Sequence, residues 1–190
     1  MKWVNHQLVT SSAVLALTGS PVMAVLAGGM SPLPDKIDHL CGAFGRTPIK
    51  IISHREHSHY WLYWVIVAVL AYMELRDNNL WLLDAMDYIA LAKLFLSGNF
   101  STVGEFLLPN LMFWGAVGSL FHIFEDFFSG KGIPLVFPHK ISPHIHLYTV
   151  GRFSEYIVAL SASVACFLAY WFPSEAGNAV RSWIWNSVFL

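Results

Sequence analysis

Two short stretches of this 190-residue chain hold residue types that do chemistry at spacings that matter. In His122-Ile123-Phe124-Glu125-Asp126 a histidine and an aspartate stand at i and i+4. A helix puts such a pair on one face, within reach of one metal ion or two adjacent ones. Glu125 points about 100° away on the same helix and is the weaker candidate for direct ligation. In ISHREHSHYWLYW, residues 52–64, His54, His57 and His59 crowd around Arg55 and Glu56 before an apolar run. His54 and His59 are five apart, too far for one helical face, and suit a turn entering a helix. Arg55 is placed to hold a phosphate or a neighbouring carboxylate, or to snorkel to lipid headgroups. His57 reads as a surface residue or as one that supports a ligand from behind.

The elements that must position these groups are apolar. Hydrophobic residues make up 56% of the chain and charged residues 12%, against roughly 25% in typical globular proteins, a membrane-protein composition. The net charge of −1 provides no basic field for nucleic acid. Cys41 and Cys166 form no closely spaced pair, so neither a disulfide framework nor a thiolate zinc site is expected.

Residues 8–28, 60–75, 106–128 and 156–172 are apolar runs near the length that crosses a bilayer core of about 30 Å. Residues 79–98 form a fifth, weaker helix. Its Asp84, Asp87 and Lys93 favour an amphipathic helix at the interface over a span. The N-terminal run has three readings: a spanning helix, a signal peptide with a small-residue site at Val22-Met23-Ala24, or a re-entrant hairpin broken at Thr18-Gly19-Ser20-Pro21. Cleavage would remove His6.

Threading the chain with the hairpin places all nine histidines on one side of the membrane, together with Asp35, Asp38, Asp126 and Glu155. Imidazole and carboxylate without thiolate is a ligand mixture for a catalytic metal such as zinc, manganese or iron. The same side carries eight of the eleven basic residues, and Arg76, Lys93 and Arg181 lie on the other. The positive-inside rule puts the histidine side in the cytoplasm.

Four motifs in order resemble one family: Asn5-His6, Leu33-Pro34-Asp35-Lys36-Ile37-Asp38-His39, His54-Arg55-Glu56-His57-Ser58-His59, and Gly118 through His122 and Asp126 to Pro138. With Gly151-Arg152-Phe153-Ser154-Glu155 they resemble, over about residues 5–155, the YdjM-like, LexA-regulated membrane-bound metal-dependent hydrolases of bacteria. That family is thought to be related to the zinc phospholipase C and single-strand nuclease superfamily. Asn5 stands where the family has Gly, one extra residue separates Asp35 from Asp38, and Tyr60 replaces a Ser.

The resemblance implies a metal-activated water acting on a phosphoester, with a phospholipid or lipid-linked substrate in the inner membrane. His6, Asp35, His54, His59, His122 and Asp126 would bind one to three divalent ions, zinc foremost. Asp38 or Glu155 would serve as general base or further ligand, and Arg55 would hold an anionic group. The expected architecture is a single all-α domain over residues 1–190. It is a polytopic bundle of three to four membrane helices with an N-terminal helix or re-entrant hairpin, one interfacial helix, and the metal site at one membrane face. The alternative is a non-enzymatic membrane protein with a structural or transport metal site.

Overall fold

The tetrapeptide Thr18-Gly19-Ser20-Pro21 sets the first turn of the fold. In the computed structural model, which describes residues 1–44, 58–130, 133 and 144–189, helix α1 (Trp3–Thr18) ends at Gly19 with φ +74°, a left-handed conformation that glycine adopts without strain. Ser20 then caps α2 (Pro21–Met30), its Oγ accepting from Met23 N at 3.3 Å, and Pro21 occupies the first helical position, where its missing N–H costs nothing. The second helix folds back along the first. Gly28 lies so close to α1 that a Cβ there would strike Ser11 Oγ and the Gln7 carbonyl. The chain thus returns to the end of the bundle where His6 stands.

Helix α3 (Leu33–Phe44) follows directly, and α4 (Trp61–Asp77) runs away from the same end. Trp64 Nε1 donates to the Ser58 carbonyl at 2.7 Å and fixes the entry into α4. The interfacial helix expected over 79–98 is shorter and starts later, as α5 (Ala85–Leu96). Its two aspartates do not lie along an amphipathic face. They form a capping box: Asp84 Oδ1 accepts from Met86 N and Asp87 N, and Asp87 Oδ2 accepts from Asp84 N and Leu83 N. Residues before Asp84 are drawn out of helix because these side chains satisfy the helix start instead.

Helix α6 (Phe100–Phe127), 28 residues and about 42 Å long, is the spine of the molecule. Pro109 interrupts its hydrogen-bond ladder. Next to it, buried Asn110 donates to Leu80 O and Phe106 O and accepts from Leu82 N, tying the α4–α5 connection to the spine. Met23, Ala24 and Ala27 of α2 pack with Val14 and Trp114 to form the core. Gly118 of α6 approaches α2 so closely that a Cβ would meet the Ala27 carbonyl. Close approach through small residues is how helices pack where lipid removes the hydrophobic drive.

Helix α7 (Phe153–Trp171) runs alongside α1 and presents Ile157, Leu160, Val164 and Phe167 outward. α6 and α7 are each long and apolar enough to cross a membrane. Helix α8 (Glu175–Ile184), which the sequence reading did not anticipate, closes the far end. Its Arg181 donates to Ala16 O at 2.8 Å and to Ala169 O and Tyr170 O at 3.2 and 3.3 Å, a cation on carbonyls near the C-termini of α1 and α7.

Candidate metal centre

Four chain segments meet at one end of the bundle: the start of α1, the first turns of α3, the turn into α4 and the last turns of α6. Each delivers a buried polar residue to the same point. His6, His122 and Asp126 are completely buried, His59 nearly so, and Asp35 and Asp38 are 8% exposed. Burying so many ionisable groups in an apolar bundle is costly unless they share charge or a ligand.

Two groups of possible ligand atoms form and share one residue. His6, His122 and Asp126 make the first, and Asp35, His59 and His122 the second. His122 Nε2 lies 3.3 Å from His59 Nε2, 3.7 Å from Asp35 Oδ1 and 3.8 Å from Asp126 Oδ2. His59 Nε2 is 3.4 Å from Asp35 Oδ1 and 3.7 Å from Asp126 Oδ2, and His6 Nε2 is 3.6 Å from Asp126 Oδ1. Zinc bonds of about 2.0–2.2 Å in a tetrahedron hold neighbouring ligand atoms roughly 3.3–3.6 Å apart, so these spacings lie within or about 0.2 Å above what a bound divalent cation would impose.

The residues around the cluster orient it. Glu125 Oε2 lies 2.6 Å from His6 Nδ1 and its Oε1 accepts from Thr10 Oγ1 at 2.9 Å. A ring that donates from Nδ1 presents the Nε2 lone pair to Asp126 and the centre, the carboxylate–histidine arrangement that accompanies metal ligation. His59 Nδ1 is held in the same way by Ser58 Oγ at 2.9 Å and faces Asp38 Oδ2 at 3.7 Å. Trp3 Nε1 donates to Asp35 Oδ2 at 3.0 Å. Burial pushes the Asp35 carboxyl up, but the facing His122 and His59 rings outweigh it and hold the group far below the usual carboxylate range. The Met1 amino group donates to Asp126 Oδ1 at 3.0 Å.

The end of α6 is firmly anchored. Tyr148 Oη donates to Glu125 O, Ser129 Oγ to Asp126 O, and Ile145 N and Leu147 N to Phe127 O and Phe128 O, all at 2.7–3.1 Å. These bonds satisfy carbonyls that a helix C-terminus leaves open, so the turn carrying His122 and Asp126 is a fixed platform.

Of the residues singled out in the sequence, the structure brings His6, Asp35, His59, His122 and Asp126 together, with Asp38 against His59. Glu155 stands apart from both groups. It is completely buried, and its oxygens accept from Lys2 N, Asn5 Nδ2 and Gly151 N at 2.5–2.7 Å, which anchors the chain start to α7. The departure at Asn5 thereby has a structural partner. His39, His144 and His146 are exposed and outside the cluster. His54, Arg55, His57 and His139 lie outside the described residues. Thr10, Trp3 and Tyr148 were missed. Thr10 carried a usable signal, since it lies four residues after His6 and so on the same helical face.

Compared with known families, the whole chain, residues 1–190, matches the model of the family described as YdjM inner membrane protein. No curated protein and no solved structure gives a match.

Proposed function

This chain belongs to the YdjM inner membrane protein family, and on that premise we propose that it is a multi-pass, metal-dependent hydrolase of the bacterial inner membrane. The observation that carries the reading is His122, a buried imidazole common to two groups of three possible ligands. His6, His59, His122, Asp35 and Asp126 would hold a divalent metal, zinc foremost, and His54 is the further ligand that the sequence motif suggests. Because both groups draw on the one lone pair of His122 Nε2, they would serve a single ion through that ring, with the remaining donors of both groups around it. A bound divalent ion supplies Lewis acidity and a water acidified to near-neutral pH.

The protein's own residues do the rest. Glu125 and Ser58 fix the ring orientations of His6 and His59, so the site is organised before substrate arrives. Asp38, beside His59 and 8% exposed, is placed to take a proton at Oδ2 from a water at the site's edge. Glu155 supports the site by holding Lys2 and Asn5 and hence the start of α1. Arg55 holds the anionic group of the substrate, a phosphoester or lipid-linked headgroup. The excess of basic residues in the sequence segments threaded to the histidine side supports a cytoplasmic location for the site.

Hydrolysis of bis(p-nitrophenyl) phosphate by detergent-purified protein tests the reading. Turnover that a chelator abolishes, that added zinc restores, and that His59→Ala removes supports it. Chelator-insensitive turnover, or none with a full metal complement, contradicts it. A second reading, a metal that only holds the bundle together, is favoured by the near-complete burial of the cluster. It predicts that the chelator melts the protein and that no substrate is turned over.

A further inference from the structure

A cavity of about 310 Å³ opens between α1, α6 and α7 directly behind the candidate metal centre, near the lower end of the sizes that hold small ligands. Val9 and Ala13 of α1, Phe121 of α6, and Ala162 and Cys166 of α7 form apolar walls. The cavity is also bordered by Glu125, whose carboxyl oxygens turn to His6 and Thr10 and which links it to the metal cluster. Its rim carries Phe124 and Leu147, exposed by 60% and 55%, so the mouth faces outward from the bundle at the end where the metal cluster sits. Two of its three walls are the helices long and apolar enough to cross a membrane.

We infer that this cavity takes one acyl chain of a membrane lipid and so places that lipid's headgroup at the metal cluster. The occupant follows from where the mouth opens. In an inner membrane protein the surroundings of exposed Phe124, beside spanning helices, are lipid tails. A cavity whose lining is apolar throughout accepts a hydrocarbon chain and gives a polar headgroup no partner along its length. Leaving the bilayer for the cavity gains a chain little transfer free energy, because lipid tails are as apolar as the cavity walls. The cavity therefore acts by shape and register. It sets the depth of the chain and with it the height of the headgroup beside Asp126 and His6. The assignment of the tail as part of a substrate rests on the hydrolase reading; occupancy by a lipid chain does not.

The test is photolabelling in nanodiscs with a phosphatidylethanolamine that carries a diazirine at mid-chain, read by mass spectrometry, with metal content measured on the same samples. Labelling is expected on Ala13, Ala162 and Cys166, above the level on lipid-facing Leu160 and Val164 of the same α7 helix. Ala162→Phe and, separately, Ala13→Phe fill the cavity from two different helices. Each should reduce cavity labelling about tenfold while metal content and soluble phosphodiester turnover stay unchanged. Labelling no higher than at Leu160, or unaffected by both substitutions, overturns the inference and leaves the hydrolase reading intact. Cavity labelling in a protein that neither binds metal nor turns over phosphodiester keeps the lipid site and removes its catalytic meaning.

Discussion

Glu125 Oε2 approaches His6 Nδ1 to 2.6 Å across the interface of α6 and α1. The two residues are 119 apart in sequence, and their pairing turns a histidine near the chain start toward Asp126 of the same α6 turn. The glutamate that points away from the His122–Asp126 face thus serves that face through another ligand.

If Glu125 sets the His6 ring, Glu125→Gln should keep the fold, because an amide oxygen still accepts from Nδ1, but replace the carboxyl with a weaker acceptor and so weaken His6 as a ligand. Substitutions of such partners cost about 10–100-fold in metal affinity. Competition with a chromophoric chelator measures this. An unchanged affinity with helicity intact by circular dichroism removes Glu125 from the site's support.

The approach of Gly118 to the Ala27 carbonyl predicts a steric effect with a functional echo. Gly118→Val drives α2 off α6 and moves the Ser31–Asp35 turn with it. Overpacking of this kind costs about 1–3 kcal/mol. The melting temperature in detergent should fall, and metal affinity with it, as Asp35 withdraws from His122. A variant with wild-type melting and metal affinity would show that the contact is not limiting.

Arg181 predicts the opposite separation. Arg181→Gln removes a cation from three backbone carbonyls at the far end and should lower stability by about 1–3 kcal/mol. Metal content should not change, since the cluster lies at the other end of α1. Loss of metal at unchanged melting temperature would contradict this division of roles.

Asp35 predicts an acid response in chelator-treated protein. Its carboxyl is held below its unfolded value, so its contribution to stability is present above the ordinary carboxylate pKa of about 3.9 and is lost as pH falls below that. Thermal melting followed downward from pH 6 should show a steeper loss below about pH 4 in the wild type than in Asp35→Asn. Equal slopes would show that Asp35 carries no such contribution.

Much of this was legible in the sequence because it is written in local chemistry. The break at Gly19-Ser20-Pro21, the i, i+4 spacing of His122 and Asp126, and the apolar runs each follow from short-range rules, and the hairpin follows from the first. What was not legible depends on distant partners. Asp84 and Asp87 read as charges on a helical face, whereas each bonds the backbone next to the other. Glu155 read as a site carboxylate, yet Lys2 and Asn5, some 150 residues away, occupy it. Nine histidines on one side do not set depth: among the described residues His39, His144 and His146 stay at the surface, whereas His6, His59 and His122 converge. Helix α8 escaped notice because its polar sequence carries no apolar run; its Ser174 cap and Arg181 contacts define it.

The central claim is that one buried histidine is common to a metal centre. Elemental analysis of detergent-purified protein by inductively coupled plasma mass spectrometry addresses it directly. The account predicts at least one transition-metal ion per chain in the wild type, lost in His122→Ala and retained in His144→Ala. A wild type with less than one ion per chain, or a content that His122→Ala leaves unchanged, would contradict it.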